Sequence, residues 1–365
     1  GVTVSLNEAA QHAADLLKQA NQPVMGGCAT DVNGMRALLA LADVCGAVVD
    51  NVNFSGARNN LLALQDSGWM NTTLAEVKNR CDLLLVVGCD LETFAPRFFE
   101  RYLWTDAMFL SDSSKRKLVY LGATPSPAAA KSDSVTVYPC ATEELPDVLA
   151  VLKALVKKQP IRCDSVAGIK VADLAAIAEQ LRQAHYSVVT WAAGALTYPH
   201  AELTVQAIAD TVKELNNQGT RCSGLPLAGK EGDQTANQVC GWTTGYPART
   251  SFHRGYPEYD PFLFDTKAMI KNGEADALVW VHAFNSETIP PDTQLPTIVI
   301  GRSGMEFKHE PDVYIPVGTP GIDHAGHAYR MDNVVAIRLK KLRDSGLPST
   351  AEALNAIESA LSLLS

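Results

Sequence analysis

Residues 81–102 read CDLLLVVGCDLETFAPRFFERY. Leu83 to Val87 are five apolar residues in succession, with no polar alternation. Such a run, bounded by Asp82 and Gly88, predicts a strand buried on both faces, as in a parallel sheet covered by helices on either side. Residues 276–281, DALVWV, repeat the pattern, and Thr297 to Ile300 (TIVI) is a further buried-type strand. Asp82 and Asp276 open the two similar runs. Each run is followed by a loop carrying Glu and then Pro: Glu92 with Pro96, and Glu287 with Pro290. Pro23 to Asp50, read as strand, turn, helix and strand, resembles the segment that begins at Ser187. These echoes predict two related α/β units.

Outward from these runs, strands are expected at 23–28, 47–50, 118–121, 135–137, 187–191 and 313–316. Helices are expected at 33–45, 146–158, 171–184, 201–217 and 350–364. Met35, Leu38, Leu39, Leu41 and Ala42 share one broad face of the first helix, and Lys153, Lys157 and Lys158 close the second, where they complement its dipole. The alternation defines an α/β fold class, two Rossmann-like units with mainly parallel sheets. The expected boundaries are 1–160, 161–330 and a C-terminal strand and helix segment, 331–365, which the first unit can also receive. Gly219 to Phe264 is expected as one long Gly-, Pro- and aromatic-rich loop, anchored by Trp242, Tyr246, Phe252, Tyr256 and Tyr259.

Composition narrows the function classes. The chain has 365 residues, 47% hydrophobic and 19% charged. That excludes a disordered chain and, at ~150 residues per domain, fits two domains. Thirty-one basic residues against 40 acidic give a net charge of -9. Nucleic-acid binding rests on Lys and Arg neutralising phosphates, and the short run RLKKLR (338–343) does not alter the balance. No apolar run reaches the ~18 residues of a membrane span. No signal-peptide pattern opens the chain, and its first residue, Gly1, leaves residues upstream open. The eight cysteines (28, 45, 81, 89, 140, 163, 222 and 240) form no CxxC pair. This speaks against a zinc ribbon or a local iron–sulfur motif and for reduced thiols in a cytoplasmic chain.

The short motifs are ambiguous on their own. Gly26-Gly27 reads as a strand-to-helix turn, since GGCATD is not the G-x-G-x-x-G dinucleotide fingerprint. His324 and His327 would suit a metal only on a helix and with a third ligand; their glycines favour a loop. His253 and Arg254 either meet a carboxylate or lie on the surface. Pro96 fits the first turn of a helix that would carry Arg97 and Arg101 on one face, for an anion, for a partner, or simply for solvent. Cys89 stands at the end of a buried strand, where open α/β sheets bind ligands, yet a lone Cys there is more often a small hydrophobe. There is no GxSxG elbow and no P-loop.

Four blocks carry a family resemblance: Pro23 to GAVVDN (46–51), Cys81 to Tyr102, NQVCGWTTGYPARTSFHRGYP (237–257) and GHAYRMDNVVAIRLKK (326–341). Their order resembles the B subunit of formylmethanofuran dehydrogenase, of the molybdopterin oxidoreductase superfamily. That family has Gly-Cys-Asn-Pro after the strand and a later Pro-Arg. This chain keeps Gly88, Cys89, Pro96 and Arg97 but has Asp90 and Leu91. The redox members carry clustered cysteines for an iron–sulfur domain, and a Cys or selenocysteine metal ligand shortly after the Asp-Asn step. Here DNVNFSGARNN (50–60) has no Cys, although molybdenum and tungsten call for a soft ligand. Ser55 is the one hydroxyl in that stretch that could stand in for it.

The pattern with both features missing resembles the B subunit of the bacterial formyltransferase/hydrolase complex. The resemblance implies a non-catalytic scaffold beside the A, C and D subunits in a hetero-oligomer. It implies no catalytic residue, no metal ligand and no cofactor in this chain, molybdo- or tungstopterin and the iron–sulfur cluster being lost. The remnants of the old cleft would be Gly27, Asp50, Asn51, Ser55, Gly88, Cys89, Arg97, Asn237, Gln238 and Asp332. Two other readings stay open: an active molybdo- or tungstopterin dehydrogenase subunit, and a small-ligand module using the old cleft. Neither a nucleic acid nor a membrane is expected as a partner.

Overall fold

The computed structural model describes residues 2–129, 135–227 and 231–364. The chain opens with α1 (Leu6–Gln19), β1 (Pro23–Ala29), α2 (Val32–Cys45) and β2 (Val48–Val49). Next come α3 (Phe54–Ser67), α4 (Leu74–Arg80), β3 (Leu83–Val87), α5 (Leu91–Phe94), β4 (Lys117–Leu121), β5 (Val135–Tyr138) and α6 (Leu145–Val156). A small hairpin of β6 (Ser165–Val166) and β7 (Ile169–Lys170) leads to α7 (Val171–Gln183), β8 (Ser187–Ala192), α8 (Ala201–Asn217) and β9 (Cys222–Leu227). The last third holds α9 (Asp233–Thr244), β10 (Thr250–Ser251), β11 (Glu258–Tyr259), α10 (Thr266–Asn272), β12 (Ala277–His282), β13 (Thr297–Arg302), β14 (Val313–Val317), β15 (Gly326–Tyr329), β16 (Ala336–Leu339) and α11 (Thr350–Leu364).

Two compact units result. One is residues 1–54 with 230–365; the other is residues 55–229. The division falls at neither 160 nor 330, because parallel strands pair across long stretches of chain. β1 finds its neighbour in β12, and Gln22, just before β1, is 254 residues from the Asp276 that binds it.

The first unit's sheet runs β11-β10-β2-β1-β12-β13-β14, parallel from β2 to β14, with β10 and β11 added antiparallel at one edge. The second unit's sheet, β5-β4-β3-β8-β9, is wholly parallel. Reversed, its order matches strand for strand the run β2-β1-β12-β13-β14. The second unit is threaded β3, β4, β5, β8, β9; the first has its last two equivalents, β1 and β2, at the start of the chain. The two units are circular permutations of one design. Asp82 and Asp276 show why both begin their strands. Asp82 accepts the N–H groups of His185 and Tyr186 at 2.8 and 3.0 Å, fixing the start of β8 beside β3. Asp276 accepts those of Asn21 and Gln22 at 2.6 and 2.9 Å, fixing the start of β1 beside β12.

Packing follows the apolar runs. All five residues of β3 are buried. Leu83, Leu85 and Val87 share a core with Val119, Val189 and Trp191 and with α6, α7 and α8 through Leu149, Ile177 and Val205. In the first unit Val24, Val48 and Leu278 pack on Met269 and Ala275, and α11 packs on α1 and α2.

Gly219 to Phe264 is not one loop. It holds the edge strand β9, where Pro226 is tolerated because one side needs no ladder partner. It also holds α9, whose Ala236, Val239 and Cys240 bury one face and whose C-terminus closes on Gly245 at φ 85°. Residues 228–230 of that stretch lie outside the described residues. Pro96 does not start an α-helix: it lies in a turn after α5, and residues 99–103 form a π-helical turn. No helix among the described residues is long and apolar enough to cross a membrane.

Candidate functional site

In an open α/β sheet, ligands bind beyond the carboxyl ends of the strands where the winding reverses. In the first unit that point lies between β1, which leads through α2 to β2 on one side, and β12, which leads to β13 on the other. The residues there are Gly27, Cys28 and Asp31 from β1 and its exit, Asp50 and Asn51 after β2, and His282 at the end of β12. Gly232, at the N-terminus of α9, packs close against Thr30 and Phe284.

Gly26 and Gly27 do not form a strand-to-helix turn, since β1 continues through them to Ala29. Gly27 sits inside β1 at φ 79°, where the register with β12 shifts, and a Cβ there would meet the Val281 carbonyl oxygen at 2.5 Å. Glycine is required by the close approach of two strands. Asp31 caps α2, its Oδ1 accepting the Gly34 N–H at 3.0 Å.

Asp50 is buried and fully engaged. Its Oδ1 lies 3.4 Å from Arg249 Nε, and its Oδ2 accepts the Thr266 N–H at 3.2 Å. Arg249, itself 1% exposed, also binds Asp265 and the Pro261 carbonyl and lies over the Phe54 ring at 4.8 Å. Two carboxylates thus share one guanidinium. Burial pushes the Asp50 carboxyl up to about 7; Arg249 opposes this and Asp265 adds to it. Asp233, on the first turn of α9, is likewise pushed up to about 7, first by burial and then by Glu231 and Asp50, against the hydrogen bond donated by Asn53 Nδ2.

His282 is fully buried, with Nε2 3.2 Å from Glu231, and its Nδ1 has no hydrogen-bond partner among the described residues. Asn285 Nδ2 and the Thr288 hydroxyl donate to the same Glu231. The thiols are not activated: Cys28 donates to the Asp50 carbonyl oxygen at 3.3 Å, and burial raises it well above its ordinary value, as it raises Cys240, to about 12. Chemically, the cluster can hold protons near neutral pH, but it presents no thiolate. No group of three or more His, Cys, Asp or Glu side chains that could hold a metal occurs among the described residues.

The first unit therefore gathers Gly27, Asp50, Asn51, Asn237 and Gln238. Asn51 Oδ1 accepts the Asn53 N–H. Asn237 joins the Asp233 carbonyl to the Ala248 N–H, and Gln238 is half-buried beside it. Asp332 lies in the turn between β15 and β16, held by Arg330. Ser55, Gly88, Cys89 and Arg97 belong to the second unit. Ser55 is exposed on the first turn of α3. Gly88, at φ 67°, packs on Leu145. Cys89 is buried and pushed up to about 12 by burial, a protonated small hydrophobe. Arg97 and Arg101 are exposed and share Glu100. His327 is on β15 and His324 precedes it, so the pair is not on a helix. Arg254 meets Glu258 at 3.3 Å. Asp233, Glu231, His282 and Asp265 stand in no sequence motif, and Arg249 lies inside the 237–257 block with nothing local to single it out. The one signal for His282 is a polar residue closing the apolar run ALVWV.

No family model matches the chain. Its fold is that of the molybdopterin oxidoreductases, shared with acetylene hydratase from Pelobacter acetylenicus at a TM-score of 0.61 and 10% identity, over 99% of this chain and 59% of that one. A nearer likeness is a chain in the crystal structure of the formyltransferase/hydrolase complex FhcABCD from Methylorubrum extorquens with methylofuran. The TM-score is 0.85 at 27% identity, over 100% of this chain and 98% of that one. The sequence is 31% identical over 326 residues to the B subunit of the Fhc complex of that organism, 88% of this chain and 84% of that protein. It is 27% identical over 350 residues to the B subunit of the tungsten-containing formylmethanofuran dehydrogenase 2 of Methanocaldococcus jannaschii, 93% of this chain and 79% of that protein. The chain belongs to the family made up of the B subunits of formyltransferase/hydrolase complexes and of formylmethanofuran dehydrogenases.

Proposed function

We propose that this chain is the non-catalytic B subunit of a cytoplasmic formyltransferase/hydrolase complex, assembled with A-, C- and D-type subunits. In such a complex a formyl group passes from tetrahydromethanopterin to methanofuran or an analogue and is hydrolysed to formate. Both reactions would take place on the other subunits, while this chain retains an old redox fold as scaffold.

The observation that carries the reading is the donor set after β2. A molybdenum or tungsten centre calls for a thiolate or selenolate. Residues 50–60 contain neither. Asp50 is committed to Arg249 and Thr266, and the buried Cys28 and Cys89 are held as thiols. The residues present do not fit the metal that the tungsten-containing relatives carry in their names, and no reaction step passes through it. The likeness to a chain of FhcABCD over the full length supports the choice of complex. Eight free cysteines accord with a reducing compartment.

The test is the content of the purified native complex in molybdenum, tungsten and released pterin per B subunit. Values near zero are expected. Stoichiometric metal and pterin would overturn the proposal, revive the dehydrogenase reading and make Ser55 the first ligand to mutate.

A further inference from the structure

β15 and β16 form a two-stranded antiparallel sheet of their own, from Gly326 opposite Leu339 to Tyr329 opposite Ala336. β15 is anchored. Gly326 lies so close to Asp31 that a Cβ would come within 2.3 Å of its carboxylate. The Tyr329 N–H donates to Thr235 Oγ1 at 2.9 Å, and the Tyr329 ring meets Trp242 edge-on. β16 is held on one face and at its exit only: Gly321 packs on Leu339, and the N–H groups of Leu342 and Arg343 donate to the Ile322 carbonyl at 2.8 and 2.9 Å. No described strand pairs with its other edge. From Asn333 to Leu347 every residue is exposed except the half-buried Leu339. Val334, Val335, Ile337 and Leu342 are among them, Leu342 at 75%. An open strand edge bearing aliphatic side chains templates pairing with another chain, and soluble proteins cover or charge such edges.

The charge left outside ion pairs on this edge has one sign. Arg330 is paired with Asp332, Lys341 with Asp344 and Arg343 with Asp323. Arg338 and Lys340 form no ion pair among the described residues, and both are exposed. At i and i+2 they lie on one face of the strand, with Ile337 and Leu339 on the other. In a chain of net charge -9 this is a local reversal.

We infer that the free edge of β16 receives an extended acidic segment of a partner subunit, added as a third strand. Its backbone would complete the ladder, its apolar side chains would meet Ile337 and Leu339, and its carboxylates would meet Arg338 and Lys340. A second copy of this chain is the poorer occupant. Symmetric pairing of β16 with itself would bring the two copies' Arg338 and Lys340 together, and like charges across a strand pair repel. The inference rests on the reading that the chain works inside a hetero-oligomer, and adds where and by what chemistry a partner binds.

The test compares backbone hydrogen exchange in the isolated chain and in the assembled complex, and repeats assembly with the double variant R338E/K340E. Amides of 336–340 should be protected only in the complex. The variant should keep the melting temperature of the isolated chain and bind its partners at least tenfold more weakly at low salt, the difference shrinking as salt rises. If the complex forms while those amides exchange as in the free chain, or the variant assembles normally, the docking edge is wrong and the scaffold reading stands. Protection in the isolated chain through self-association also overturns it. If the wild-type chain assembles with none of its partner subunits, the scaffold reading falls and the docking edge with it.

Discussion

Asp233 should make the first unit lose stability as pH rises, contrary to the usual behaviour of carboxylates paired in the fold. The residue is 4% exposed, so water screens little of the effect. Its carboxyl is pushed from 3.8 to about 7 by burial, with Glu231 and Asp50 nearby. A carboxyl raised in the fold binds its proton there at a pH where the unfolded chain has already released it. Between pH 4 and 7 the folded state therefore holds more protons, and stability falls as pH climbs. Integrating that difference for a single group gives a loss of about 2 kcal/mol from pH 5 to pH 7. Asp233→Asn removes the titration and keeps an oxygen to accept from Asn53. Urea unfolding of wild type and variant at pH 5, 6, 7 and 8 isolates this contribution, because carboxylates common to both chains cancel. The variant should gain on wild type by about 2 kcal/mol as pH goes from 5 to 7. A difference that stays constant with pH would refute the reasoning, since it would mean that Asp233 is ionised in the fold throughout.

Arg249→Met should cost about 3–5 kcal/mol in urea unfolding at pH 8, because it leaves Asp50 and Asp265 without their shared cation; a loss below about 1 kcal/mol would refute the shared-cation reading. Gly27→Ala should cost more than about 2 kcal/mol, from strand overpacking and positive-φ strain together. By contrast Gly68→Ala, also at positive φ but in open space, should lose about 1 kcal/mol, and equal melting shifts for the two would count against the close-approach argument. Asp82→Ala and Asp276→Ala each strip two backbone N–H groups of their acceptor, so each should lower stability by about 2–3 kcal/mol; if only one of them does, the two pins are not equivalent.

The strands were legible where burial is symmetric. LLLVV, ALVWV and TIVI have no polar face because helices cover both sides of a parallel sheet, and such runs have one reading. The Gly- and Pro-dense stretch after Gly219 was not legible. Its helix α9 carries only Ala236, Val239 and Cys240 as a buried apolar stripe, too thin to stand out beside so many turn residues. The site suffered from the same weakness. Asp50 and Asn51 were named through the resemblance, on the Asp-Asn step that follows β2. Asp233, Arg249 and Asp265 sit in polar, turn-like sequence, where a charge reads as solvated, and only the fold brings Arg249 and Asp265 to Asp50 after β2 and Asp233 to Asn53.

The domain boundaries failed for a different reason, and the internal echoes explain it. The likeness of Pro23–Asp50 to the stretch from Ser187 equates β1 and β2 with β8 and β9. The likeness of Asp82 and Asp276 equates β3 with β12. Taken together, the two equivalences run in opposite chain order: β1 precedes β12, whereas β8 follows β3. A tandem duplication cannot produce that order. A unit inserted after β2 of another, the two being circular permutations, does produce it, and it requires the host unit to be closed by residues from both ends of the chain. Asp276 is where that closure is made, since it holds the backbone leading into β1 across the whole inserted unit. The inserted unit has its counterpart in Asp82, which closes β3 to β8 within a continuous stretch of chain.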